Sequence, residues 1–197
     1  MSDEATLSFY EKSAAHYTYS TALAPTRHLD GFLDRLDPAA RILELGCGAG
    51  RDAAHMRHRG FAVDATDGAA AMVQKANERF DLGARQLRFD QLSATAEYDA
   101  VWAHASLLHV PRAEVAYVLS AIHRALKTGG WHFASYKLGE GEGLCLLGRL
   151  HNFPDPEWIT ARYLDCGFTI ADSEVYHGQG ADGTVSDWIA ITTQKLD

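Results

Sequence analysis

Three glycines on alternate positions are the first feature of this sequence that could do chemistry. Gly46, Gly48 and Gly50 follow a short apolar segment around Glu44, and a helical pattern begins at Asp52. A backbone without Cβ atoms turns sharply and lets a ligand approach closely. A strand that runs through such a turn into a helix presents backbone N–H groups and a helix N-terminus to the ligand. The pattern therefore predicts a nucleotide-type binding site.

Asp67 is the residue whose position suits a ribose. It ends a second apolar segment, about 20 residues after the glycine turn begins, where dinucleotide sites carry an acidic residue. A carboxylate can accept hydrogen bonds from both ribose hydroxyls. Asp64 competes for this role, but Asp67 is favoured because it lies beside Gly68, ahead of a helix that carries Met72. Capping of that helix by Asp67 is the alternative.

The glycine spacing separates this turn from the dinucleotide fingerprint, because it is G-x-G-x-G and not G-x-G-x-x-G. With Glu44, it resembles the first motif of the class I S-adenosylmethionine-dependent methyltransferases. The segment Tyr98-Asp-Ala-Val-Trp-Ala is similar to the family's F/Y-D-x-V fourth strand, and Ala125-Leu-Lys-Thr-Gly-Gly resembles its L-K-P-G-G junction. The resemblance covers residues 40–137 by motif and nearly the whole chain by element order.

The resemblance implies a site for S-adenosylmethionine, in which Asp67 receives the ribose and Asp90 the adenine amino group. A turn-forming role is the alternative for Asp90. Tyr10 and Tyr17 have the spacing of an N-terminal segment that closes over the cofactor, or else pack on the core. The full set of implied cofactor-binding residues is Tyr10, Tyr17, Glu44, Gly46, Cys47, Gly48, Gly50, Asp67, Gly68, Met72, Asp90, Gln91, Leu92, Ala103 and His104.

Methyl transfer from a sulfonium is an in-line displacement that requires mainly positioning, so the family has no universal catalytic residue. A general base is needed only for an acceptor that must lose a proton, and His109 and Tyr136 are the candidates. Bracing of the turn before Pro111 is an equal alternative for His109. Lys137, Glu142 and Arg149 belong to a glycine-rich stretch that is either a flexible linker or one wall of the substrate pocket.

The order of elements predicts the fold that must position these residues. Five strands alternate with helices, and the last two strands, 168–176 and 185–193, are joined only by a turn, so they are antiparallel. We expect an α/β, Rossmann-like, doubly wound seven-stranded sheet that is mostly parallel, with an antiparallel C-terminal hairpin. Residues 1–197 form one domain, with a helical lid at 1–38, a cofactor-binding core at 40–137 and a substrate side at 138–197.

Composition limits the possible partners. The chain has 197 residues, 47% of them hydrophobic, and a formal net charge of −8 without a basic cluster, which argues against nucleic acid. The absence of a long apolar run argues against a membrane span, and three scattered cysteines favour free thiols in the cytoplasm. His55 and His58 lack further converging ligands, so no metal is expected.

The sequence therefore predicts a cytoplasmic enzyme that transfers a methyl group from S-adenosylmethionine to a small-molecule acceptor, with monomer and homodimer both open. Two alternatives stay open as well. One is an NAD(P)-dependent oxidoreductase, which the glycine spacing and the closing hairpin disfavour. The other is a non-catalytic S-adenosylmethionine-binding protein that keeps the pocket without turnover.

Overall fold

The computed structural model describes residues 3–20, 26–180 and 183–197, with the backbone alone for 15–20. Helices and strands alternate along most of this length. The helices are α1 Glu4–Ser20, α2 Leu29–Leu33, α3 Arg51–His58, α4 Ala70–Phe80, α5 Val115–Ala125 and α6 Pro156–Asp165. The strands are β1 Arg41–Leu45, β2 Ala62–Asp67, β3 Arg85–Gln86, β4 Tyr98–Ala103, β5 Leu126–Lys137, β6 Gly143–Leu144, β7 Leu150–His151, β8 Thr169–Gln179 and β9 Val185–Gln194.

Seven of the strands form one sheet in the order β3-β2-β1-β4-β5-β9-β8. Strands β1 to β5 pair in parallel, whereas β9 is antiparallel to both β5 and β8. The strand order reverses between β1 and β4, which lie side by side although β2 and β3 separate them in sequence. The predicted fold class, a mostly parallel seven-stranded sheet closed by an antiparallel hairpin, is confirmed.

Helices cover both faces of this sheet because its central strands are apolar on both sides. Helices α5 and α6 pack on one face, where Ile122 and Tyr163 join a cluster with Val101. On the other face, α2 and α3 pack against Trp102 and Phe133. Helix α1 lies on α4, where Ala14, Ala69 and Met72 form a small separate cluster. Among the described residues, no helix is long and apolar enough to cross a membrane, and Cys47, Cys145 and Cys166 form no disulfide.

Several boundaries differ from those that the sequence pattern predicts. The predicted strand over residues 84–89 pairs only at Arg85–Gln86 and then turns into a short 3₁₀ helix, Phe89–Gln91. Strand β5 begins at Leu126 and not after the two glycines, because the Gly129 N–H and the Gly130 carbonyl both bond to the backbone of Lys195. The stretch after β5 contains a two-stranded hairpin, β6 with β7. The division into lid, core and substrate side stays a prediction.

Candidate functional site

A cavity of about 550 Å³ lies at the carboxyl ends of β1, β2 and β4. Its floor is made by three segments: the turn 46–49 after β1, Asp67 and Gly68 at the end of β2, and residues 104–106 after β4. Open α/β sheets bind ligands at this edge, where the strand order reverses. The volume is in the range of small-molecule sites.

The glycines of the turn have two different functions. A Cβ on Gly46 would lie 2.4 Å from the Cβ of Ser106, and one on Gly50 would lie 2.5 Å from Cδ1 of Leu82. These two glycines therefore let the turn pack against the protein. A Cβ on Gly48 would meet nothing within 4 Å, and Gly48 lines the cavity. Gly48 is thus the position where a ligand can approach the backbone.

This difference makes a prediction about stability. Gly46→Ala should lower the free energy of unfolding by about 2 kcal/mol, from the positive φ and from the collision with Ser106. Gly48→Ala, also at positive φ but without a collision, should lower it by about 1 kcal/mol. Urea denaturation of both variants measures the difference, and equal losses would contradict the packing role of Gly46.

Asp67 fastens the glycine turn to the start of α4. Its Oδ2 accepts the N–H of Gly48 at 2.9 Å, and its Oδ1 accepts the N–H of Ala69 at 2.9 Å. Burial raises the pKa of Asp67 above its usual range. The rival residue, Asp64, instead accepts hydrogen bonds from Arg41 and from the Tyr98 hydroxyl and does not line the cavity.

Glu11, and not Asp67, caps the first turn of α4. The Glu11 carboxylate comes from α1 and accepts the N–H groups of Ala70 and Ala71 at 2.6 and 3.0 Å. A carboxylate at this end of the helix also interacts favourably with the helix dipole. Two lone-pair positions on each carboxylate oxygen of Asp67 leave it able to accept further hydrogen bonds from a ligand.

Glu44 places a second carboxyl group against the cavity. Its side chain is 3% exposed, and Oε2 has no hydrogen-bond partner among the described residues. Burial, together with the nearby charge of Asp52, raises the pKa of Glu44 well above its usual range. Asp52 itself is well supplied with donors, because Thr26, Trp102 and Arg51 bond to it. Of these two carboxyl groups, Glu44 is therefore the one with an oxygen, Oε2, that no described residue supplies with a donor.

This arrangement predicts that Glu44→Gln stabilises the ligand-free protein as the pH rises. The pKa of Glu44 is higher in the folded state than in the unfolded state, where it is about 4.3. Between these two pKa values the folded wild type binds more protons than the unfolded chain, so its stability falls as the pH rises. Within that window wild type should lose about 1.4 kcal/mol per pH unit relative to the variant. Urea denaturation from pH 4 to 8 tests this. Parallel stability profiles would contradict the raised pKa.

A polar cluster of Tyr10, His109 and Arg149 forms another part of the cavity wall. Nδ1 of His109 lies 2.7 Å from the Leu150 carbonyl and must donate to it, so Nε2 accepts the Tyr10 O–H at 3.0 Å. Nη1 of Arg149 donates to the same hydroxyl at 2.8 Å. Burial, with the neighbouring His151, lowers the pKa of His109 to about 3. His109 is therefore neutral at physiological pH, with its basic nitrogen facing a phenol.

The structure brings most of the predicted site residues to this one cavity. The Tyr17 side chain is outside the described part of the chain. Gly50 lies on the side of the turn that packs against Leu82 and does not line the cavity. The predicted residues that line the cavity are Tyr10, Glu44, Gly46, Cys47, Gly48, Asp67, Gly68, His104, His109, Lys137 and Arg149.

The structure corrects two of the predicted catalytic and substrate-side residues, because their side chains do not reach the cavity. Tyr136 is fully buried, and its hydroxyl bonds to that of Tyr163 at 2.9 Å, on the sheet face that carries α5 and α6. It cannot serve as a base for a ligand in the cavity. Glu142 accepts the backbone N–H of Arg112 and lines no part of the cavity. Its side chain therefore stabilises the nearby backbone and does not contact a ligand.

Five predicted cofactor residues also lie outside the cavity lining. Met72 is buried between α4 and α1, and Leu92 and Ala103 belong to the apolar core. Asp90 lies beside the Arg88 side chain, and Gln91 accepts the backbone N–H of that same residue. Phe89, next to them, does line the cavity. The chain turns early after β3, which places the aromatic ring and not the polar side chains at the site.

Several lining residues were missed because no local motif marks them. Leu7 and Thr6 reach the cavity because α1 lies across it, and Tyr176 and Trp188 reach it from the hairpin. The last two are paired across β8 and β9. Ala49 and Asp52 could have been found from the sequence, because one lies inside the glycine turn and the other is an acidic residue in the first turn of α3.

The described features define a class of protein. An open sheet closed by an antiparallel hairpin, with a glycine turn and an acidic residue at the strand-order reversal, is the architecture of the class I S-adenosylmethionine-dependent methyltransferases. Residues 42–130 match the family described as Methyltransferase domain. This match and the fold together support a class I S-adenosylmethionine-dependent methyltransferase.

Individual relatives agree with this. The chain is 31% identical over 115 residues to a ubiquinone biosynthesis O-methyltransferase of Paracidovorax citrulli, over 53% of this chain and 48% of that protein, so the match spans about half of that relative's length. Its fold is similar to a Methanosarcina mazei methyltransferase (TM-score 0.75, 18% identity, 84% and 96% of the two chains). It is also similar to the Burkholderia thailandensis 1,6-didemethyltoxoflavin-N1-methyltransferase (TM-score 0.75, 21% identity, 97% and 85%).

Proposed function

We propose that this protein transfers a methyl group from S-adenosylmethionine to a small-molecule acceptor. The observation that carries the proposal is a single cavity with two differently equipped parts. One part has the bare backbone of Gly48 and the carboxyl groups of Glu44 and Asp67, and the other has the cluster of Tyr10, His109 and Arg149.

The residues of the first part fit the cofactor. Gly48 leaves open space above the turn, Asp67 can accept from ribose hydroxyls, and the unpartnered carboxyl oxygen of Glu44 suits a cationic ligand. When bound, S-adenosylmethionine supplies a methyl group on a positively charged sulfur. Ionised Glu44 would stabilise such a cation, and the turn would hold the donor in place relative to the acceptor.

Helix α1 forms part of the cavity wall. Leu7 and Tyr10 line the cavity from this helix. Besides the bonds of Tyr10 to His109 and Arg149, hydrogen bonds join Glu11 to α4, Glu4 to Arg88, and the Leu150 N–H to the Thr6 hydroxyl. A helix attached by its surface side chains can open and close over a ligand. We therefore propose that the N-terminal segment acts as a lid, the core binds the cofactor, and the C-terminal part supplies the acceptor side.

Several observations favour a small acceptor. The cavity volume of about 550 Å³ suits a small molecule beside a cofactor, and a net charge of −8 does not favour nucleic acid. The Burkholderia thailandensis enzyme was solved with 1,6-didemethyltoxoflavin and S-adenosylhomocysteine, and the Paracidovorax citrulli enzyme is named for ubiquinone biosynthesis. Both names support a small acceptor for this chain.

Calorimetry with S-adenosylmethionine, S-adenosylhomocysteine and NAD⁺ tests the cofactor assignment. We expect micromolar binding of the first two and none of NAD⁺, and the reverse result would favour the oxidoreductase alternative. Release of S-adenosylhomocysteine in an acceptor screen then tests turnover. Tight cofactor binding without release for any acceptor would favour the non-catalytic alternative.

A further inference from the structure

Arg149 is a buried cation without an acidic partner. Its side chain lines the cavity, yet the residue is 3% exposed. One guanidinium nitrogen donates to the Tyr10 hydroxyl, Nε makes no hydrogen bond, and the group lies over the rings of Phe9 and Tyr10 at 5.1 and 5.6 Å. No carboxylate of the described residues forms an ion pair with it. Burying a charge without a counter-ion is costly, so this site lacks an anion.

The other arginines of the cavity differ in this respect. Arg27 forms an ion pair with Glu174, and Arg51 forms one with Asp52. Both pairs exist in a chain that has 26 acidic and 18 basic residues, so an acidic partner for Arg149 would be easy to supply. The described residues give this guanidinium a phenol and the Cys145 thiol as partners but no carboxylate, and its planar set of donors matches a carboxylate.

We propose that the methyl acceptor is an acid whose carboxylate, or a similar planar oxyanion, pairs with Arg149; this rests on the proposed function. The two ends of the cavity would then bind opposite charges. The cationic donor would lie near Glu44 and Asp67, and the anionic acceptor would lie near Arg149. The apolar part of the acceptor would contact the rings of Tyr10 and Trp188, which also line the cavity. The bound anion would sit beside the Tyr10 hydroxyl and, through it, beside His109.

Two other functions for Arg149 predict different results. The guanidinium could bind the carboxylate of the cofactor's own methionine part, in which case its loss weakens cofactor binding. It could instead only fasten α1 to the hairpin of β6 and β7, through Tyr10. In that case its loss lowers stability, and wild type itself shows no preference between acids and neutral ligands.

The experiment uses the full chain saturated with S-adenosylhomocysteine. Acetate, benzoate and phenylacetate are titrated by calorimetry, each beside its carboxamide, into wild type, Arg149→Gln, Arg149→Lys and the control Arg27→Gln. Saturation is measured first, so a failure of the proposed function shows as absent S-adenosylhomocysteine binding in wild type.

We expect at least one acid to bind wild type tenfold or more tightly than its amide. The preference should vanish in Arg149→Gln, persist in part in Arg149→Lys and be unchanged in Arg27→Gln. The proposal is overturned if wild type shows no preference for any acid, or if Arg149→Gln keeps the preference. It is also overturned if that variant weakens S-adenosylhomocysteine alone. Arg149→Lys keeps the test valid should Arg149→Gln not fold.

Discussion

Replacing Asp67 with alanine should weaken S-adenosylhomocysteine binding by about 3 kcal/mol, or roughly a hundredfold, which is the loss of two hydrogen bonds to a charged acceptor. The proposed partners are the two ribose hydroxyls. The same change also frees the N–H groups of Gly48 and Ala69, which the carboxylate now holds at 2.9 Å each. The turn would then lose a contact that fixes it for the ligand, so the loss should not fall below the value for one bond.

Calorimetry on three variants separates the ribose contact from other effects. Asp67→Asn keeps one acceptor oxygen for the backbone N–H groups and should lose part of the affinity. Asp64→Ala is the matched control, because this neighbour on β2 bonds to Arg41 and Tyr98 at a distance from the cavity, and should bind like wild type. Wild-type affinity in Asp67→Ala would show that the wrong carboxylate was assigned.

The parts of the site that could be predicted from the sequence depend on local chain geometry. Alternate glycines after a buried strand expose backbone at the end of that strand, and Gly46, Gly48 and the Asp67 that follows β2 do line the cavity. Their binding of the cofactor stays a prediction. The hairpin was equally local, because two strands joined by a turn must be antiparallel. Such features need no knowledge of tertiary contacts.

The remaining features depend on which face of the sheet a strand residue points to and on how many residues of a strand pair. Composition and spacing do not determine either of these. Tyr136 and Lys137 are neighbours on β5, so their side chains point to opposite faces, and only Lys137 reaches the cavity. Asp90 was misplaced because β3 pairs over two residues and turns away early. Glu11 could not be identified as the cap of α4, since that contact exists only when α1 docks. Long-range docking decides each of these cases.

His109→Asn should lower kcat/KM for a hydroxyl acceptor by about a hundredfold, at the lower end of the range for general-base catalysis. Nε2 of His109 accepts the Tyr10 O–H, so an acceptor that gives its proton to Tyr10 would drive the phenol proton onto His109. Asparagine removes this basic nitrogen but keeps an N–H donor for the Leu150 carbonyl, the contact that Nδ1 makes now. S-adenosylhomocysteine binding and thermal stability should therefore stay close to wild type.

The choice of variant and acceptor separates a general base from a structural function of His109. Burial lowers the pKa of His109 to about 3, so the neutral, basic form persists until the pH falls through that value, and wild-type kcat/KM should show no loss from His109 between pH 8 and 5. Tyr10→Phe interrupts the same path and should reproduce the hundredfold effect on hydroxyl acceptors, the lower end for general-base catalysis. An amine acceptor that is already unprotonated needs no base before attack, so its turnover should change little in either variant. Equal rates for wild type and His109→Asn with a hydroxyl acceptor would show that this histidine only holds the loop before Pro111. If His109→Asn fails to fold and Tyr10→Phe folds, His109 has a structural function, through its bond to the Leu150 carbonyl.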